Sequence, residues 1–273
     1  MTQPPIDPGQ QPPHVPGQQP GAYPPPPPPG GYAPVPGAHP FSVGDGFSWA
    51  FNKFGKNWVP LVLATLVMFI IMGIINGVFS GIAGALADTS SSVVDTDDGF
   101  SAVFSTSGFT AGSWIMTILG MIVSLIVGGY VAAAYWNGIL KIADGQQVTF
   151  GSFFQPRNVG QVIIASVLSG LIMMIGFAAC FLPGLVAAIF LYFTTIAVVD
   201  HNLKGPDGLS ASFNVVKANF GPALLTALLA WVTVAVGLLL CGVGALAGAP
   251  IAALLVAYAW RHLTGGYVAP QTQ

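Results

Sequence analysis

Charge is what this sequence has least of. Seven basic and nine acidic side chains are spread over 273 residues, 6% of the chain, where an ordinary soluble domain carries about a quarter. A water-facing surface cannot be built from so few. With 53% hydrophobic residues and a mean hydropathy of +0.74, most of the chain is expected to have lipid as its solvent. No basic patch exists to neutralise phosphates, which argues against a nucleic-acid partner. Histidine is equally sparse: His14 and His39 fall in the first 40 residues, and His201 and His262 flank apolar runs. No HExxH, CxxC, GxSxG or P-loop spacing occurs, so no catalytic residue, metal or cofactor is assigned and the chain is read as not an enzyme. Asp95-Thr96-Asp97-Asp98-Gly99 has the composition of half a calcium loop, but its glycine is misplaced and no glutamate follows. The stretch Asp88–Ser113 is therefore expected to be a solvated loop.

Proline is plentiful only at the start. Residues 1–40 hold 16 of the 23 prolines and neither lysine nor arginine. Such a segment cannot bury enough apolar surface to offset chain entropy, so disorder with local polyproline II is expected, either as a docking tail or as a solubilising one. It has no apolar core behind a basic start, so it does not read as a secretory signal.

The gaps between charges place the membrane spans. Thirty-one uncharged residues lie between Lys56 and Asp88, 42 between Arg157 and Asp200, and 43 between Lys217 and Arg261. A span needs about 20 residues, so each longer gap holds two helices and a turn. The turns fall at Cys180-Phe181-Leu182-Pro183-Gly184 and Cys241-Gly242-Val243-Gly244. The stretch before Lys141 opens with serine, threonine and glycine and holds one helix. Six spans result, at 60–86, 114–140, 161–179, 183–199, 222–240 and 243–260. All seven basic residues then fall on one side, the positive-inside pattern with both termini cytoplasmic. Trp58, Tyr135, Trp136 and Trp260 mark the inner ends and Trp114 an outer one. The fold class is an all-α membrane protein: a disordered tail (1–40), a six-helix domain (41–262) arranged as three hairpins, and a short C-terminal tail (263–273).

One sentence is written twice. Offset by 162 residues, 45–66 matches 207–228 at nine of 22 positions, among them Asp45/Asp207, Gly46/Gly208, Phe51/Phe213, Asn57/Asn219 and Pro60/Pro222. Phe47, Phe51, Phe54 and Trp58 repeat the spacing of Leu209, Phe213, Val216 and Phe220. That period gives a helix with one apolar stripe. Asp45 and Asp207 are the expected N-caps. With lysines nearby, each helix should lie on the inner leaflet, in contact with membrane lipids. A degraded third copy opens at Asp144-Gly145 and uses Phe150, Phe153, Phe154 and Asn158, which suggests units 41–140, 144–199 and 205–262.

Small residues stripe the first two spans: Gly73, Gly77 and Gly81 on one, Gly120, Ser124 and Gly128 on the other. In lipid such stripes let helix backbones approach. They are expected to face protein, either each other or a second copy in a homo-oligomer. Cys180 and Cys241 both fall in outer-side turns, where they form a disulfide or serve as two small apolar residues.

The pattern Val43-Gly44-Asp45-Gly46-Phe47…Phe51…Phe54-Gly55-Lys56-Asn57-Trp58, with Asp200, Leu209, Ser212-Phe213 and Lys217-Ala218-Asn219-Phe220, resembles a family of bacterial proline-rich integral membrane proteins. It is similar to the membrane domain attached to some glycerophosphodiester phosphodiesterases, and the Pro/Gly/Tyr-rich head is similar to that of actinobacterial inner-membrane proteins. The resemblance implies a bacterial plasma-membrane location. The soluble hydrolase barrel is absent, so hydrolysis is not implied. The expectation is a scaffold or accessory subunit of cell-envelope machinery with a membrane-protein partner. The alternative is a transporter or lipid-translocating subunit with a polar path near Asn76, Asn137, Thr194, Thr195 and Thr226. A membrane enzyme would have only Asp144, Asp200, His201 and Asp207 to work with.

Overall fold

The computed structural model describes residues 41–95, 101–240 and 242–271. The Pro-rich residues 1–40, the acidic 97–98 pair and Cys241 lie outside them. The described helices are α1 (Val43–Ala85), α2 (Ala111–Ala143), α3 (Val159–Ala179), α4 (Phe181–Phe190), α5 (Thr194–Asp200), α6 (Gly205–Ala218), α7 (Phe220–Leu239) and α8 (Ala245–Leu263), with a 3-10 helix at Phe150–Phe154. Six segments are long and apolar enough to cross a membrane: α1, α2, α3, α4 with α5, α7 and α8.

Spans adjacent in sequence pack on each other: α1 on α2, α3 on α4, and α7 on α8. The first pair is antiparallel, since a Cβ on Gly120 would meet Phe79, one on Gly128 would meet Met72, and Thr65 reaches Tyr135. Aliphatic side chains such as Ile70, Ile74, Ile118, Ile122, Ile175 and Leu239 are left outward, as lipid would allow. The buried core lies toward the end that carries the basic residues. There α8, rich in alanine, runs through the centre with Leu254, Leu255, Ala257 and Trp260 fully enclosed.

The sequence expectation needs several corrections. The 88–113 loop is partly a β-hairpin, β1 (Asp88–Asp95) against β2 (Ser101–Gly108), antiparallel with Asp88 opposite Gly108 and Asp95 opposite Ser101. Its serines, threonines and valines suit extended backbone. Thr110 then clamps the end of this pair away from the basic residues: its hydroxyl donates to the Leu86 carbonyl (2.6 Å) and accepts the Ser113 amide (3.1 Å). The fourth span is not one helix, because it breaks at Leu191–Phe193 between α4 and α5. Asp144-Gly145 closes α2 instead of opening a third repeat. Asp144 is the C-cap, Gly145 takes φ +78°, and the Gln146 amide returns to Lys141. What remains of the third copy is the 3-10 turn, with Phe153 buried where a Cβ on Gly138 would stand.

Candidate functional site at the basic end of the bundle

The two copies of the repeat build matching elements. The helical part of α1 before Asn57 and all of α6 each end on an asparagine that leaves helical geometry. Asn57 stands at φ −124°, ψ 23° and Asn219 at φ −132°, ψ 47°. Each donates its side-chain amide to the carbonyl four residues back, Lys53 (2.9 Å) or Val215 (3.2 Å), so the broken turn keeps its acceptor occupied. A proline three residues on, Pro60 or Pro222, opens the next helix without needing an amide donor. Asp45 and Asp207 are first-turn acids and not the N-caps. Ser42 caps α1, and Lys204 holds the cap position of α6 without a side-chain bond. An acid in the first turn still complements the helix dipole.

Each repeat helix buries the face that carries its glycine and not its aromatic stripe. Gly46, Trp49, Ala50 and Lys53 are buried, and so are their counterparts Gly208, Ala211, Ser212 and Val215. A Cβ on Gly46 would strike Tyr258, and one on Gly208 would strike Val198, so glycine lets both helices seat closely. Of the expected stripe, Phe51, Trp58, Phe213 and Phe220 are exposed, Phe47, Phe54 and Leu209 are half-buried, and Val216 is buried.

A charged cluster is assembled at the ends of α2, α5 and α8. Arg261 Nη2 lies 2.7 Å from Asp200 Oδ1, and Arg261 Nη1 lies 3.1 Å from Asp144 Oδ1. The same Nη1 donates to the Tyr267 carbonyl at 3.1 Å. Trp260 Nε1 donates to Asp200 Oδ2 at 3.0 Å, and His201 Nε2 stands 3.5 Å from that oxygen. Trp260 is thus a buried donor whose ring lies tilted against those of Phe193 and His201, not an exposed aromatic. Burial pushes the Asp144 carboxyl up, opposed by Arg261. Burial also pushes His201 down from its ordinary 6.5, opposed by Asp200, so imidazole is held neutral at neutral pH.

Three of the four polar residues weighed for membrane-enzyme chemistry, Asp144, Asp200 and His201, are therefore brought together. Asp207 stands apart, exposed on α6. Arg261, which completes the cluster, was legible only as a topology-setting cation. Nothing in its sequence neighbourhood names partners 61 and 117 residues away, since Asp200 and Asp144 meet it only through folding.

The other candidates scatter. Asn76 is exposed and bonds its own helix, Asn137 donates to the Gln155 carbonyl, Thr194 and Thr226 are buried, and Thr226 bonds Pro222. The apolar groove of about 400 Å³ beside Tyr192, Trp231 and Leu238 contains none of them. Gly120 and Gly128 face α1, but Gly73, Gly77 and Gly81 have nothing within 4 Å of a built Cβ. The first span's stripe therefore turns away from α2, because Phe79 and Met72 make that contact instead. Cys180 is an exposed free cysteine at the end of α3, and its expected partner lies outside the described residues. Among the described residues no group of three metal-ligating side chains occurs.

No family model and no solved structure matches the chain. It is similar to "Uncharacterized protein Rv2560" of Mycobacterium tuberculosis H37Rv and to "Uncharacterized protein Mb2590" of Mycobacterium bovis. Each is 36% identical over 242 residues, covering 89% of this chain and 74% of the relative.

Proposed function

Since the chain belongs to the family of the mycobacterial protein Rv2560, we propose that it is a non-catalytic plasma-membrane protein that scaffolds or accompanies cell-envelope machinery. In this reading three hairpins enter the bilayer from the cytoplasmic face, and the basic end, with both termini, stays there. The repeat helices lie at the inner interface, with Phe51, Trp58, Phe213 and Phe220 toward lipid and Lys56 and Lys217 at headgroup level.

The observation that carries this reading is how the charged cluster at the basic end is used. Arg261 ties together the ends of α2 and α5 and the C-terminal segment. The carboxylates of Asp144 and Asp200 are turned on that guanidinium, as suits a fastening more than a reaction centre. The outward glycines of span one, with Asn76 on the same face, offer a close-packing surface to a second copy or to a partner span.

Topology and role are tested separately. Single cysteines at positions 56 and 217, in a background lacking Cys180 and Cys241, should be protected from an impermeant thiol reagent in whole cells. Labelling of either from outside rejects the orientation. Affinity purification in mild detergent should return membrane partners. A lone chain, together with an intact envelope after deletion, rejects the scaffold.

A further inference from the structure

The buried face of the first repeat helix carries side-chain hydrogen-bond donors at two positions that are aliphatic in the second copy. Trp49 and Lys53 occupy the repeat positions of Ala211 and Val215, and all four are buried. In the second copy α6 packs against α3 and α5. In the first copy the donors are met by the backbone of the segment 267–271. Trp49 Nε1 donates to the Ala269 carbonyl and Lys53 Nζ to the Pro270 carbonyl, each at 2.7 Å.

The rest of that segment is held as closely. Arg261 Nη1 donates to the Tyr267 carbonyl at 3.1 Å, the Ala269 amide donates to the Ala143 carbonyl at 2.8 Å, and Gln271 Nε2 donates to Ser48 Oγ at 3.3 Å. Ala269 is buried where a Cβ on Gly145 would stand 2.9 Å from its own, so its small side chain fills the space that the glycine leaves. A cavity of about 290 Å³ continues beside the segment, walled by Asp45, Trp49, Tyr258 and His262. An indole donating to the carbonyl that precedes a proline, among aromatic rings, is a way of reading extended proline-containing peptides.

We propose that Trp49, Lys53 and Arg261 form a cleft for an extended peptide with a small residue followed by proline. Residues 267–271 are its built-in occupant, and a partner's peptide of the same chemistry is the ligand that replaces them. The seated segment itself states the specificity: backbone carbonyls for three fixed donors, a small residue against Gly145, then proline. The cleft does not stay empty. A buried ammonium and a buried indole N–H left without acceptors are costly, so the segment leaves by exchange. This inference is independent of the scaffold reading.

The test uses the full chain in nanodiscs with a protease site inserted between Gly266 and Tyr267, where Tyr267 is exposed. A fluorescent Tyr-Val-Ala-Pro-Gln peptide is followed by anisotropy. The uncut chain should exclude it and the cut chain should bind it. Trp49→Phe should weaken binding about tenfold, the loss of one buried hydrogen bond. Glycine in place of the peptide's proline should weaken it about fivefold through lost preorganisation. A folded cut chain that takes no peptide overturns the proposal, as does equal binding of the glycine peptide or by Trp49→Phe. If cutting unfolds the chain, hydrogen exchange on the uncut protein decides. Trp49→Phe should speed exchange of the Ala269 amide about tenfold and leave Val198 and Val199 unchanged. No change at Ala269 also overturns it.

Discussion

Arg261 is the residue on which the basic end turns. Its side chain is 13% exposed and Asp200's is 6% exposed, so removing the guanidinium leaves a carboxylate enclosed without its cation. Arg261→Met is expected to cost about 3 kcal/mol, read as a lower melting temperature in detergent. Asp200→Asn should cost less, because the amide oxygen still accepts from Arg261. His201 gives the cluster a pH dependence. Its folded-state pKa is lowered, so below its ordinary 6.5 the unfolded chain takes up a proton that the folded chain resists. Stability should therefore fall as pH drops from 7.5 to 5.5. His201→Gln should flatten that part of the curve, and an unchanged slope would mean that another group titrates there. Asp144 acts in the opposite sense: its raised pKa contributes stability at low pH that is lost as pH rises through the folded value.

At the scale of elements, the break between α4 and α5 shows how a membrane protein spends a serine. Within a span, backbone groups freed by a broken helix have no water to turn to. Ser212 on α6 serves both sides of the break, donating to the Phe190 carbonyl at 2.8 Å and accepting the Phe193 amide at 3.1 Å. Ser212→Ala leaves both unsatisfied and is expected to cost about 1–3 kcal/mol, measurable by thermal or denaturant unfolding. The break was not legible in the sequence, because Phe190–Thr195 contains neither proline nor glycine and its cause lies about 20 residues away in another helix. The repeat, by contrast, was legible, because periodicity and the Asn-x-x-Pro ending are local. The orientation of its helices was less so. Large apolar residues suggest which face is apolar, but in lipid an apolar face can stay outside while glycine and alanine form the protein contact.

At the scale of the whole molecule, span one keeps an outward face of small residues free for a partner helix. Gly77 has no neighbour at its Cβ, whereas a Cβ on Gly120 would stand 2.6 Å from Phe79. Gly77→Leu should leave the melting temperature of a monomer within about 0.5 kcal/mol of equivalent stability but shift native mass spectra toward monomer. Gly120→Leu should destabilise by about 1–3 kcal/mol through overpacking, whatever the oligomeric state. A monomeric wild-type protein would remove the homo-oligomer and leave that face for another partner or for lipid.

Read alone, the residues settle six membrane-crossing segments, the clustering of cations at one end, and the duplicated helix with its hinge, because hydropathy, charge spacing and period are properties of neighbours along the chain. Which helix face docks, where the fourth span breaks, how Arg261 gathers Asp144 and Asp200, and how residues 267–271 come to lie on Trp49 and Lys53 depend on partners up to 220 positions apart. Those pairings are set by which small residues allow close approach and which buried donors and acceptors must be satisfied, and these conditions exist only once the helices have packed.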